Sequence, residues 1–360
     1  MNRPVCAVVL AAGEGTRMRS KRPKPLHRIC GRPMVSYVID ALASQVEATI
    51  VVVGHGATWV EKELRDRHGD ELYFVEQVDQ LGTGHAVVTA LPAVADVIGA
   101  ADADVLVLPG DAPLLRAGTL DELIRAHQDS AAAITVLSAV LEDPTGYGRV
   151  LRSPDGSLER IVEERDASAS QRQVREVNTA VMVVRAELLG PGLRRVGRQN
   201  VQHEYYLSDL PGVLRGAGHV AAALTVQNPL EVTGVNDRAQ LASVETEMRR
   251  RINERWLQRG VSMWDPAHTY VDADVVLSPD VSLLPGTVLR GACVIGAAAV
   301  IGPHAYLQDT QVGEGAQVAT TTLIGARIGA RAIVAPYVVL GPGAVVEDGA
   351  SRARVEAQPD

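Results

Sequence analysis

The chain has 360 residues, of which 46% are hydrophobic, and carries a formal net charge of −8 at pH 7. This length and apolar content are enough for two folded domains. The acidic balance and an aromatic content of 3% argue against nucleic-acid binding. No apolar run is long enough to span a membrane, and Cys6, Cys30 and Cys293 match neither a disulfide framework nor a metal-ligand spacing, so we expect a cytoplasmic protein.

The first apolar run, Val5–Leu10, predicts a buried strand and leads into a glycine turn that continues to Arg17 and Lys24. Glycine lets a backbone approach a ligand and turn its N–H groups toward anionic oxygens, and the two cations supply charge for phosphates. The prolines that flank Lys24 restrict its backbone. The turn matches neither the dinucleotide fingerprint nor the phosphate loop. It predicts a nucleoside triphosphate site, and the alternative is ordinary surface charge.

Up to residue 228, strand-like apolar runs alternate with amphipathic stretches, as in a parallel α/β sheet. A helix that begins near Pro33 has its apolar side chains on one face. Open α/β sheets bind ligands at the carboxyl ends of their strands, where the glycine turn lies. The predicted strands cover residues 5–10, 49–53, 72–75, 105–108, 133–140 and 177–184.

Two other strand ends carry candidate ligand groups. Asp111 follows the strand at 105–108, where its carboxylate could hold Mg²⁺ against phosphates or could simply begin a turn before Pro113. Gln77 precedes a segment with two glycines, and its amide can read the donor and acceptor pattern of a base. We expect His85 to pack or cap rather than to catalyse.

The second half of the chain has a different pattern. A connecting helix is predicted over 240–258, with an apolar stripe and a solvated charged face. Beyond it the apolar period is six, which a helix cannot hold on one face but a parallel β-helix can. The first register contains Val276, Val288, Val294, Val300, Tyr306, Val312, Val318 and Ile324, and a slip of four starts a second one with Ile328, Val334, Leu340 and Val346.

The chain contains an ordered set of motifs that resembles the bacterial GlmU family. They are LAAGEGTRM, RPKPLH, EQVDQLGTGHA, LPGDAPLL, GYGRV, IVEERDA, EVNTAV, EYYLSDL and GVNDR. The resemblance implies an α/β Rossmann-like nucleotidyltransferase domain at 1–228 and a linker with a connecting helix at 229–262. A short left-handed parallel β-helix of hexapeptide repeats would follow at 263–350, and a polar tail at 351–360.

The resemblance also implies the reaction, which is transfer of UMP from UTP to a sugar 1-phosphate, most specifically N-acetylglucosamine 1-phosphate, with Mg²⁺ as cofactor. Arg17 and Lys24 would hold the triphosphate, and Asp111 with Asn236 would bind Mg²⁺. The uracil would contact Leu10, Ala11, Ala12, Gly13 and Gln77, with Gly82 and Thr83 lining the nucleotide pocket; the sugar would lie against Gly148, Glu163 and Asn178, bordered by Pro109 and Gly110.

The chain departs from the family pattern at three places. Pro109 stands where some members have tyrosine, and Ala180 stands where glycine is common, so the sugar is less fixed than the nucleotide. The alternatives are another sugar 1-phosphate with UTP or dTTP, or a non-catalytic trimeric paralogue that senses nucleotide. Gly341 replaces an arginine of the acetyl-transfer site and the repeats end at Val346, so we expect a truncated β-helix of about four coils without acetyltransferase activity that still forms a homotrimer.

Overall fold

The computed structural model describes residues 3–99 and 102–352. They form two compact units: the first comprises the described residues up to His27 together with Pro33–Leu241, and the second comprises Arg28–Arg32 and the described residues from Ala242 onward. The division falls within the segment that was expected to be the linker. No helix in the described ranges has the length and apolar character needed to cross a bilayer.

The first unit is a nine-stranded sheet with helices, and it contains all six predicted strands. The strands are β1 Val5–Leu10, β2 Ala48–Val53, β3 Leu72–Glu76, β4 Asp104–Pro109, β5 Ile134–Val140, β6 Arg149–Arg152, β7 Leu158–Val162, β8 Glu176–Arg185 and β9 Ala221–Thr225. The central strands follow the order β9-β5-β8-β4-β1-β2-β3, and β6 and β7 form a hairpin beside β8. The helices are α1 Met34–Leu42, α2 Ala57–His68, α3 Thr83–Ile98, α4 Ala117–Asp129, α5 Ala169–Arg172, α6 Ala186–Leu193 and α7 Leu210–Gly216.

Two features of this sheet differ from the prediction. The sheet is mixed rather than parallel, because β8 runs antiparallel to both β4 and β5. The strands β6, β7 and β9 were missed, because β6 and β7 are rich in charged residues and β9 begins with three alanines, which have low β-propensity.

Both faces of β1 are buried, which explains its unbroken apolar run. Val5, Ala7 and Val9 belong to one core cluster, and Cys6 and Val8 belong to the other. The predicted apolar face of α1 lies in the core, with Met34, Val35, Val38, Ile39 and Leu42 all buried. The carboxyl end of β1 is therefore held rigidly on both sides, and the glycine turn begins there.

The helix Arg238–Leu257, here called α8, agrees with the predicted connecting helix to within two residues at each end. Val244, Met248, Ile252 and Trp256 are buried along one stripe. On the other face Arg250 and Arg251 both pair with Glu247, and Arg250 also pairs with Glu254. The charged residues thus form an ion-pair network, in which Arg250 and Glu254 are exposed as expected whereas Arg251 and Glu247 are mostly buried.

The second unit is a β-helix of short parallel strands on three faces, as in a left-handed β-helix of hexapeptide repeats. The chain crosses one face six times and each of the other two five times, which exceeds the predicted four coils. The strands are Ser262–Met263, Tyr270–Val271, Val276–Leu277, Ser282–Leu283, Val288–Arg290, Val294–Ile295, Val300–Ile301, Tyr306–Gln308, Gln311–Val312, Gln317–Val318, Thr322–Ile324, Arg327–Ile328, Ile333–Val334, Val339–Leu340, Val345–Val346 and Ser351–Arg352.

The core register differs by one residue from the prediction over the first coils. Val294 is 44% exposed whereas Ile295 is fully buried, and Val276 is likewise exposed whereas Leu277 is buried. Both residues of each pair are apolar, so composition does not reveal which one points inward. Three steps of five residues replace the expected slip of four, and they lead from Leu307 to Val312, from Val318 to Leu323 and from Leu323 to Ile328. The buried positions Val312 and Val318 agree with the first predicted register, and Ile328, Val334, Leu340 and Val346 agree with the second.

The β-helix continues past the expected boundary at residue 350. Ser351–Arg352 pairs in parallel with Ile333–Val334. The expected polar tail therefore begins no earlier than 353, and the rest of it, 353–360, lies outside the described residues.

Candidate active site

A cleft of about 340 Å³ opens at the carboxyl ends of β1 and β4 in the first unit. These strands are parallel neighbours, with Leu10 paired to Pro109, and the N–H of Gly110 donates to the carbonyl of Leu10 at 2.9 Å. The predicted residues that line the cleft are Leu10, Ala11, Ala12, Gly13, Lys24, Gln77, Gly82, Thr83, Pro109, Gly110 and Asp111. Ala180, whose position was expected to border the sugar, also lines it, as do four residues that were not predicted: Pro25, Gln80, Ala86 and Glu204.

The glycine turn is shaped by Lys24. Gly15 has φ +65°, and a Cβ at Gly15 would lie 2.6 Å from the Cβ of Lys24. Only glycine fits there, because a side chain would both clash and strain the backbone. The turn thus packs against the stem of Lys24, which begins the 3₁₀ turn Lys24–Leu26.

A charged network joins four predicted residues beside the cleft. The ammonium group of Lys24 donates to the carboxylate of Asp111 and to Oδ1 of Asn236, the latter at 3.1 Å. Arg17 donates to the same Oδ1 at 3.0 Å. The segment that carries Asn236 is held in place because the N–H of Val235 donates to the carbonyl of Asp111 at 2.9 Å. Lys24, predicted to face phosphate, thus contacts both predicted metal ligands.

The Asp111 and Asn236 oxygens fit a magnesium ion. Both contact one nitrogen, Lys24 Nζ, so they converge on one point, and carboxylate and amide oxygens are ligands that Mg²⁺ accepts. No cluster of three or more His, Cys, Asp or Glu side chains suited to a metal occurs among residues 3–99 and 102–352. A magnesium site completed by water and substrate oxygens does not need such a cluster.

Gln77 is buried, and its amide group has a fixed orientation. Its Nε2 donates to the carbonyl of Gly82 at 3.2 Å and lies 3.0 Å from Nδ1 of His85. A carbonyl accepts only, so the nitrogen of the amide must face Gly82. With the second hydrogen directed at His85, only Oε1 remains, and it can only accept a hydrogen bond. His85 serves here as a packing residue beside Tyr205, as expected.

The segment Glu204-Tyr205-Tyr206, for which the sequence suggested no role, supports the start of α3. The backbone of Tyr205 accepts from the N–H of Gly84 and donates to the carbonyl of Leu81, each at 2.8 Å. The hydroxyl of Thr83 accepts from the N–H of Leu207 at 3.1 Å. Gly82 has φ +106°, and a Cβ there would lie 2.6 Å from the carbonyl oxygen of Tyr205. This part of the cleft wall is therefore closely packed.

Gly148, Glu163 and Asn178, predicted to hold the sugar, form a separate group. The N–H of Asn178 donates to the carbonyl of Gly148 at 2.8 Å, and a Cβ at Gly148 would lie 3.2 Å from Oε1 of Glu163. Glu163 accepts from the hydroxyl of Ser208 at 2.5 Å, and burial raises the pKa of its carboxyl. Glu163 lines a neighbouring cavity of about 550 Å³ rather than the cleft itself.

Ala180 connects this group to the cleft. It lies at an irregularity in the pairing of β8 with β5 and has φ +60°, an unfavourable conformation for alanine. Its N–H donates to Oδ1 of Asn178 at 3.0 Å, and the Thr179 hydroxyl donates to the carbonyl of Leu137 at 2.7 Å. These bonds hold the strained backbone in place, as is common beside binding sites.

Tyr147 is a further residue whose phenol group is affected by the charge of Asp111, although it does not line the cleft. Burial, together with the charge of Asp111, raises the pKa of its phenol group. The only signal for Tyr147 in the sequence was its position in the GYGRV motif.

Comparison with known proteins gives a consistent result. Residues 7–179 match the family model described as a MobA-like NTP transferase domain. The proteins named Bifunctional protein GlmU from Halalkalibacterium halodurans and Pelotomaculum thermopropionicum are 40% and 44% identical to this chain, covering 95% and 94% of it and 74% and 72% of the relatives. That of Brevibacillus brevis is 42% identical over 94% of this chain and 72% of its own length.

These matches extend through both units and do not support the expected truncation. The cleft at the carboxyl edge of the sheet lies in the unit that contains the matched transferase domain. The fold, the ordered motifs and the relatives agree: the chain is a sugar-1-phosphate nucleotidyltransferase and belongs to the GlmU family.

Proposed function

We propose that the chain transfers UMP from UTP to N-acetylglucosamine 1-phosphate, giving UDP-N-acetylglucosamine and pyrophosphate. The observation that carries this proposal is the meeting of Arg17, Lys24, Asp111 and Asn236 beside the cleft. Two cations and two oxygen ligands at the carboxyl edge of the sheet are what a triphosphate and its metal ion require.

In this reaction an oxygen of the sugar phosphate attacks the α-phosphorus of UTP. The new P–O bond forms as the bond to the β-phosphate oxygen breaks, and pyrophosphate leaves with the electron pair. The nucleophile is already an anion, so no general base is needed, which agrees with the packing role of His85. Catalysis then depends on alignment and on charge neutralisation.

Asp111 and Asn236 would hold Mg²⁺, and the ion, when bound, neutralises phosphate charge. Arg17, which is exposed and reaches Asn236, is placed to contact the triphosphate. Lys24, whose stem packs on the glycine turn, is placed to add a second positive charge. Together these groups would offset the repulsion between the two anionic substrates.

The acceptor-only oxygen of Gln77 supports a uracil base. The N3–H of uracil is a donor that matches this oxygen, whereas N3 of cytosine is an acceptor. Thymine has the same N3–H, so dTTP stays the alternative nucleotide on this ground. The side-chain oxygen of Asn178 accepts a hydrogen bond from the N–H of Ala180. The two hydrogens of the same side-chain amide are left to donate to an acceptor oxygen of the sugar.

Two further parts of the proposal concern the second unit. The β-helix would assemble a homotrimer, and analytical ultracentrifugation would detect it. The absence of acetyltransferase activity rests on Gly341, and release of thiol from acetyl-CoA with glucosamine 1-phosphate would contradict it.

The test is a matrix of nucleotides and sugar 1-phosphates with Mg²⁺, in which pyrophosphate release is measured. We expect UTP with N-acetylglucosamine 1-phosphate to give the highest kcat/KM. A higher value for glucose 1-phosphate or for dTTP would favour the alternative transferase, and no release with any pair would favour a nucleotide sensor.

A further inference from the structure

The Lys24 ammonium group contacts the two oxygens that the proposed function gives to Mg²⁺. It donates to the Asp111 carboxylate and, at 3.1 Å, to Oδ1 of Asn236. The side chains of Lys24 and Asp111 are only 14% and 25% exposed, so water screens this contact poorly. In the structure, the ammonium group of Lys24 therefore neutralises the charge of the Asp111 carboxylate, as a metal ion bound there would.

Only the end of Lys24 has room to move. Its stem packs on Gly15, where an added Cβ would lie 2.6 Å from the Cβ of Lys24, and buried prolines flank it on both sides. The backbone therefore fixes the origin of the side chain, while rotation about its outer bonds can swing the ammonium group. Lys24 lines the cleft, which offers open space for that swing.

We propose that Lys24 is an internal counter-cation that holds Asp111 and Asn236 together and gives way to the divalent ion when a triphosphate arrives. A divalent ion and the ammonium group repel each other when both contact the same carboxylate and amide oxygens, so they compete for these oxygens. A triphosphate offers Lys24 new anionic partners, so nucleotide binding frees the metal ligands. Coupling between two ligands is reciprocal, so bound metal must strengthen nucleotide binding by the factor by which bound nucleotide strengthens metal binding.

This inference rests on the proposed function for the identity of the triphosphate and of the metal site. It concerns metal affinity in the absence of turnover. Its failure would leave the transfer reaction untouched, because that reaction is tested by pyrophosphate release.

The test measures Mn²⁺ binding to the full chain by electron paramagnetic resonance, without nucleotide or sugar phosphate. Lys24→Met removes the ammonium group and keeps most of the apolar stem. Lys21→Met is the matched control, because it removes a charge of the same sign from an exposed position three residues away. We expect Lys24→Met to tighten Mn²⁺ binding about tenfold and Lys21→Met to change it less than about twofold.

A second measurement compares the affinity for the α,β-methylene analogue of UTP with and without Mn²⁺. Chelation by the analogue is common to all variants and cancels between them. Addition of Mn²⁺ should raise the affinity for the analogue more in the wild type than in Lys24→Met. Lys21→Met should behave as the wild type.

Asp111→Asn in the Lys24→Met background identifies the site that is measured. It should remove the tightened Mn²⁺ binding while thermal unfolding shows that the protein stays folded. Unchanged or weaker Mn²⁺ binding by Lys24→Met would overturn the proposal. So would tightened binding that survives Asp111→Asn, because the ion would then lie elsewhere.

Discussion

At the scale of single residues, hydrogen bonds to neighbouring residues decide what the side-chain amides of Gln77 and Asn178 can offer a ligand. The motifs pointed to Asn178 and Gln77, but what each amide can offer a ligand depends on neighbours that only the fold brings together. The side-chain oxygen of Asn178 accepts from the N–H of Ala180, and the side-chain nitrogen of Gln77 donates to the carbonyl of Gly82 and to the ring of His85. Gln77 therefore has only its oxygen left for a ligand, whereas Asn178 has one of its two acceptor positions filled and both amide hydrogens left to donate.

Asn178→Asp tests this orientation. The carboxylate can still accept from the N–H of Ala180, but it replaces the free amino group by an anionic oxygen that repels an acceptor. We expect KM for the sugar 1-phosphate to rise about 100-fold, from a loss of about 2–3 kcal/mol, while KM for UTP changes less than about twofold. Steady-state kinetics with each substrate varied would measure both, and an unchanged sugar KM would show that Asn178 does not donate to the sugar.

Ala180→Gly tests the strained backbone. Glycine adopts positive φ without the Cβ penalty, so we expect the variant to be more stable by about 0.5–1 kcal/mol, despite its greater unfolded-state entropy. Urea unfolding monitored by circular dichroism would measure the difference. A loss of stability would mean that the alanine methyl group makes contacts worth more than the strain.

Glu163 makes a pH-dependent contribution, because burial raises the pKa of its carboxyl above the usual 4.5. The folded state then binds a proton that the unfolded state has lost, so folding stability falls as pH rises from about 4.5 through the raised pKa. Glu163→Gln removes this pH-dependent loss of stability. The free energy of unfolding of the variant minus that of the wild type should therefore increase across that pH range and then level off. Urea unfolding at a series of pH values would measure this, and a constant difference would contradict it.

At the scale of elements, apolar patterning located strands but fixed neither their direction nor their inward face. β1 was easy to locate because both of its faces are buried, whereas the direction of β8 depends on connections that periodicity does not encode. In the β-helix, pairs such as Val294 and Ile295 are both apolar. The inner residue of each pair is decided by the geometry of the coil.

A matched pair of variants tests the observed β-helix register. Ile295→Ala removes a fully buried side chain and should lower the free energy of unfolding by about 2–5 kcal/mol. Val294→Ala alters a side chain that is 44% exposed and should cost less than about 1 kcal/mol. Chemical denaturation of both variants would measure the difference. A larger loss for Val294→Ala would favour the register predicted from the sequence.

At the scale of the whole molecule, the change of period near the connecting helix correctly separated an α/β half from a β-helix half. The residues of the site were harder to predict from sequence patterns. Arg17, Lys24 and Asp111 each stand beside a recognisable strand end or turn, but Asn236 lies 212 residues from Lys24 and has no local signal of its own. The family resemblance identified it, and the contact with Lys24 supports that assignment.

The account as a whole depends on the charged network beside the cleft, and one measurement tests it most directly. Pyrophosphate release from UTP and N-acetylglucosamine 1-phosphate with Mg²⁺ should be readily measured for the wild type. It should fall at least about 100-fold in Asp111→Ala, because the variant loses a charge interaction worth about 3 kcal/mol at the reacting phosphates, while its circular dichroism spectrum stays unchanged. Near-normal release by folded Asp111→Ala would contradict the proposed role of this network in catalysis.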